Sequence, residues 1–129
     1  MRARRIRDLL IATAILFPVG VVSLTLRAGG PDPGQGKEVF SKRCSGCHAT
    51  DSEKEGPRLH GVIGRKAGSV PGFLYSDALR NSGITWNEDL LNKWLENPRD
   101  LVRDNDMEFR VSSAAERAAV IAWLKSLGN

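Results

Sequence analysis

The sequence predicts an all-α domain of about four helices behind an N-terminal transmembrane helix. Three observations carry that expectation. Eighteen consecutive residues near the N-terminus, Leu9 to Leu26, hold no charge. The rest of the chain shows no sustained alternation of apolar and polar residues, so strand signals are weak. Capping residues stand ahead of its apolar runs.

The 129 residues suffice for one small domain and not for two. Five of the 19 basic residues and one of the 15 acidic ones fall within the first 30 positions. From Pro31 onward the chain therefore carries 14 of each, and the basic excess belongs to the N-terminal segment. A near-neutral body gives no footprint for nucleic acid.

The uncharged run follows Arg2, Arg4, Arg5 and Arg7. As a helix it spans roughly 27 Å, close to the hydrocarbon thickness of a bilayer. Pro18 and Gly20 would kink it, which a membrane span tolerates. The arginines ahead of it predict a cytoplasmic N-terminus and a C-terminal domain on the far side. A cleaved signal is the competing reading, but the run is long for one and Leu26-Arg27-Ala28 is a poor cleavage site. We therefore expect an anchor or signal segment at 1–28, a Gly/Pro-punctuated linker at 29–35 and a domain at 36–129.

Within the domain the first helix is expected at about 34–46. A short one follows Ser76 as cap over about 77–82. The third opens after Asn87, with Glu88 and Asp89 in its first turn, and ends before Pro98. The last runs from Ser113 to Leu127, with Ser113 and Glu116 spaced as a capping box. Its residues Val120, Ile121, Trp123, Leu124 and Leu127 share one apolar face.

Chemistry concentrates in Cys44-Ser45-Gly46-Cys47-His48. C-x-x-C-H is a c-type haem attachment signature: two thiols add to the two vinyl groups, and the adjacent imidazole supplies an axial nitrogen to iron. A zinc site would need two more ligands, and His60 is the only further histidine or cysteine. A thioredoxin-like redox pair would sit in an α/β pattern, which is absent. The expected cofactor is one covalent haem c. Met107 is the candidate second axial ligand, since Met1 is the start residue. It stands in a polar stretch, Arg103 to Arg110, where a methionine filling ordinary core space would be out of place.

From Gly36 to Leu127 the chain resembles the class I c-type cytochromes. The matching segments around the haem signature are Gly56-Pro57-Arg58-Leu59-His60-Gly61, Gly64-Arg65-Lys66, Pro71 to Ala78, Gly83-Ile84-Thr85-Trp86, Trp94 to Pro98 and Ala118 to Leu124. The resemblance implies a cytochrome c fold with His48 and Met107 as axial ligands. It implies that Pro57 accepts a hydrogen bond from His48, and that Arg65, Tyr75 and Trp86 hold a haem propionate. It implies that Gly36 and Phe40 meet Trp123 where the first and last helices cross. Departures from the family pattern also stand out. The stretch from His48 to Pro57 is short, Leu79 replaces an asparagine, Trp94 replaces a tyrosine that bonds the ligand sulfur, and Asn105 replaces a threonine. His60 matches no ligand position.

The resemblance thus implies a single-electron carrier and not an enzyme, with no small-molecule substrate because both axial positions are filled. It suggests shuttling between a cytochrome bc complex and a terminal oxidase at the outer face of a bacterial inner membrane. The haem domain would lie in the periplasm, anchored by a single pass, or soluble there if the segment is cleaved. A ligand-exchanging haem enzyme and a haem subunit of a larger dehydrogenase or oxidase are the alternatives. Lys42, Arg43, Lys54, Arg58 and Lys66 are candidates for steering a partner to the haem edge.

Overall fold

The computed structural model describes residues 29–128, so the N-terminal span expected at 1–28 lies outside the described residues. Among those described, no helix is long and apolar enough to cross a membrane. Five helices follow in order: α1 Pro33–Arg43, α2 Asp77–Arg80, α3 Glu88–Glu96, α4 Pro98–Leu101 and α5 Ala114–Ser126. There is no strand among the described residues; a single antiparallel bridge pairs Lys66 with Thr85.

Each helix begins where a side chain satisfies its open amide groups. Asp32 caps α1 through a 2.9 Å bond from the Gly34 amide, and Pro33 fills a first-turn position that needs no donor. This cap starts α1 inside the expected linker at 29–35. The helix also stops at Arg43, three residues short of the expected end, because the chain turns sharply through 44–47. Ser76, Asn87 and Ser113 cap α2, α3 and α5 as expected. Ser113 Oγ accepts from the Glu116 amide at 3.3 Å, while the Glu116 carboxylate reaches across to Arg43 on α1 at 3.0 Å. The sequence expectation missed α4. Pro98 ends α3 and also sits at the first position of the next turn, where proline is favoured.

Two packing contacts organise the helices. At the crossing of α1 and α5, a Cβ on Gly36 would overlap the Ala119 carbonyl and fall 2.6 Å from Trp123 Cβ, so only glycine allows this approach. Phe40 and Trp123 pack one turn further on, their ring centroids 4.6 Å apart. On its other side α5 meets α3, burying Val120, Ile121 and Leu124 in one cluster with Leu91, Trp94 and Leu95. Packing on both sides explains why α5 buries Ala119 and Arg117 beyond the expected face.

Arg117 is the one buried cation of the described core, 5% exposed. Its guanidinium donates to Asn92 Oδ1 at 2.8 Å and to the carbonyls of Val111 and Ser112, each at 2.9 Å. Glu96 lies 3.3 Å away. The charge is thereby paired and its donors are used, which is what permits burial. The group ties α3, α5 and the segment after Met107 together.

Gly36→Val is expected to cost at least about 2 kcal/mol, because backbone must move to admit it. Gly46→Ala, whose Cβ meets nothing within 4 Å, is expected to stay within about 0.5 kcal/mol of the parent. Chemical denaturation of both variants checks the contrast.

Candidate functional site

The end of α1 leads directly into the site. The Cys44 amide still bonds the Phe40 carbonyl at 2.8 Å, after which the Cys47 and His48 amides both turn back to the Cys44 carbonyl. This tight turn holds both cysteines and the histidine on one short span. Neither cysteine is in a disulfide. Cys44 is half-buried, and burial pushes its thiol up to about 11, only partly offset by Arg43, so it is a neutral thiol at pH 7. Cys47 is exposed.

His48 is oriented from behind. Its Nδ1 lies 2.8 Å from the Pro57 carbonyl oxygen, which can only accept. The ring proton therefore belongs on Nδ1, and Nε2 keeps its lone pair. Burial lowers the imidazole's pKa, and the Pro57 bond only partly opposes this, so the ring stays neutral at neutral pH. Gly56 makes the geometry possible: a Cβ there would fall 2.6 Å from Nδ1 and 2.7 Å from Nε2.

A cleft of about 420 Å³ opens beside these groups. All eight residues singled out from the sequence line it: Cys44, Cys47, His48, Pro57, Arg65, Tyr75, Trp86 and Met107. Leu59, Val62, Leu79, Leu91, Leu95, Val120 and Leu124 make its apolar walls. Arg65 donates to the carbonyls of Arg58 at 2.7 Å and His60 at 3.0 Å, which fixes its guanidinium at the cleft. Burial draws the Arg65 pKa down, partly opposed by Tyr75. Burial also raises the Tyr75 phenol. Trp86 brackets Arg65 through backbone, its amide bonding the Arg65 carbonyl at 2.9 Å, and its ring meets Trp94 edge-on at 5.3 Å.

Met107 is held by two residues. Asn105, buried, donates to the Val102 carbonyl at 2.6 Å and accepts from the Met107 amide at 2.8 Å. Trp94 donates its indole N–H to Met107 Sδ at 3.1 Å. Sequence reasoning identified Trp94 and Asn105 only as departures and passed over Gly56. A Trp thirteen positions before a methionine carries no signal of contact until α3 and the loop are folded together.

His60 is exposed, pairs with Asp51 at 2.7 Å and does not line the cleft. No group of three or more His, Cys, Asp or Glu side chains arranged for a metal ion exists among the described residues. The proposed steering cations are largely engaged. Arg43 pairs with Glu116, Arg58 with Glu53 at 2.5 Å and Lys42 with Glu38 at 3.4 Å, while Lys54 donates to the Ser45 carbonyl.

This donor set fits a covalent haem. Two thiols on one turn can form thioethers, a neutral imidazole offers a lone pair, a thioether shares the same cleft, and a guanidinium stands at an apolar wall.

The family model for cytochrome c matches residues 34–128. The chain is 47% identical over 118 residues to cytochrome c2 of Rhodomicrobium vannielii, an alignment covering 88% of this chain and 93% of that one. It is 45% identical over 93 residues to cytochrome c type-1 of Ascaris suum, covering 70% and 83%. Among solved structures, cytochrome cH from Methylobacterium extorquens superposes with a TM-score of 0.70 at 36% identity, over 74% of this chain and 98% of that one.

Gly56→Ala is expected to displace the His48 ring, break its bond to Pro57 and lower stability by about 2 kcal/mol. The His48 Nδ1 proton resonance, read together with a denaturation curve, checks this; an unmoved resonance would contradict the fit.

Proposed function

The chain belongs to the cytochrome c family, and from that premise we propose that it is a single-electron carrier in which His48 and Met107 ligate the iron of a haem c tethered through Cys44 and Cys47. Family members bind one such covalent haem with iron, and the relatives are electron carriers. The observation that supports the ligand assignment most is convergence: both thiols, the Nε2-free imidazole and the Met107 thioether border one cleft. Bound there, the haem supplies a one-electron couple between ferric and ferrous iron.

The chain's own residues set the conditions. Pro57 accepts the His48 Nδ1 proton, which fixes the ring and raises its basicity. Met107 offers a soft thioether that favours reduced iron and so raises the potential. Trp94 withdraws electron density from that sulfur through its N–H, which acts in the same direction. Arg65, Tyr75 and Trp86 serve to hold a propionate, because a carboxylate beside an apolar wall needs donors. With His48 and Met107 both holding the iron, the haem would offer no coordination site to a substrate, so the reading is a carrier and not an enzyme.

The proposed location follows from the N-terminal sequence, and the proposed partners from the resemblance to respiratory carriers. The arginine-flanked uncharged run supports a division into an anchor or signal at 1–28, a linker at 29–35 and the haem domain at 36–129. We place that domain at the periplasmic face of a bacterial inner membrane, carrying electrons from a cytochrome bc complex to a terminal oxidase.

Met107→Ala is expected to abolish the weak near-infrared-edge absorption band of ferric iron bound to methionine sulfur and to lower the potential. Trp94→Phe is expected to keep that band and lower the potential by no more than roughly 60 mV, the ceiling set by the net worth of one hydrogen bond. Visible spectra and redox titration check both; a Met107→Ala spectrum identical to the parent would remove the thioether ligand.

A further inference from the structure

Two large apolar side chains stand in solvent among the described residues, Leu74 at 86% exposure and Phe109 at 44%, and both border the cleft. Leu74 sits in irregular chain between Phe73 and Tyr75, whose rings meet edge-on with centroids 4.7 Å apart. The two flanking rings pack on each other and leave the Leu74 side chain between them in solvent. Leu74 also borders a shallow groove lined by Glu53, Pro71 and Gly72, which leaves it as a ridge between two depressions. A single exposed leucine is ordinary. Two large apolar side chains at the mouth of the one cleft that holds the proposed redox centre form a contact patch.

The charges around that mouth cancel. Six charged side chains line the cleft: the cations Arg43, Arg65 and Lys66, and the carboxylates Glu55, Asp106 and Glu108. Arg43 is paired with Glu116, Glu108 is paired with Arg99, and Arg65 is bound to two carbonyls. The chain from Pro31 onward has as many acidic as basic residues. A partner of either strong sign would meet like charge as often as opposite charge, so complementarity selects neither.

We propose that this mouth docks a redox protein whose own contact face is apolar and near neutral around its cofactor, with Leu74 and Phe109 as the contacts. Association is then driven by apolar burial and not by long-range charge. The proposal rests on the carrier reading.

Voltammetry of the matured holoprotein tests it, on gold coated with alkanethiols that end in a methyl/hydroxyl mixture, in carboxylate or in ammonium groups. The expected result is a reversible wave on the methyl/hydroxyl surface whose rate changes by less than about twofold between low and high salt. Leu74→Ser, which removes a side chain standing in solvent, is expected to lower that rate about tenfold. The same variant should leave reduction by ascorbate unchanged. A wave confined to one charged surface, lost with salt and indifferent to Leu74→Ser, overturns the proposal while leaving the carrier reading intact. Self-association abolished by Leu74→Ser, with electrode rates unaltered, assigns the patch to a second copy and also overturns it. No reversible wave on any surface overturns the carrier reading itself, and the proposal with it.

Discussion

The core of this chain is built around a cleft that its side chains border but do not fill. Trp86, Leu91, Trp94, Leu95, Val120 and Leu124 are core residues and cleft walls at once. An apolar macrocycle seated there is therefore part of the hydrophobic core as much as it is a redox centre. The same constraint accounts for the short helices and long loops: the elements have to line a flat group and not only one another.

What keeps such a core in one arrangement lies on both sides of the cleft. The crossing of α1 and α5 at Gly36 fixes the helix that delivers Cys44, Cys47 and His48. The buried Arg117 fixes the other side, because it binds the carbonyls of Val111 and Ser112 just beyond the Met107 loop. Each polar group at the cleft is then oriented by a partner directed at it from the surrounding fold. Pro57 orients His48, Asn105 and Trp94 orient Met107, and the carbonyls of Arg58 and His60 orient Arg65. A site held in this way rearranges little when one electron is gained or lost, which suits a carrier better than a catalyst.

The legible parts of the sequence were local ones. C-x-x-C-H and the caps at Ser76, Asn87 and Ser113 all sit within a few residues of what they act on. Family resemblance extended that reading to Pro57, Arg65, Tyr75 and Trp86, and all of them border the cleft, as does Met107, which its polar surroundings marked. Apart from the meeting of Gly36 and Phe40 with Trp123, which the resemblance implied, relations set by tertiary approach were not legible. Trp94 read only as a replacement for a tyrosine that bonds the methionine sulfur, and its indole N–H faces Met107 Sδ. Arg117 carries no local signal of burial, because nothing nearby announces that Asn92 and Glu96 of α3 will meet it. Arg43 read as a steering cation, and the carboxylate that neutralises it comes from Glu116, 73 positions away. The start of α1 lies within one residue of its expected place, and its end falls three residues early, where the chain turns through 44–47.

Everything rests on two sulfur atoms becoming thioethers to one porphyrin. Intact mass and visible spectrum, recorded together on the chain matured in a host that exports it and attaches haem, read this most directly. The expected result is a coloured protein whose mass exceeds that of the polypeptide by one haem and survives denaturation, with or without residues 1–28. A colourless product whose mass equals the bare polypeptide, or a haem released by acid and organic solvent, would contradict it.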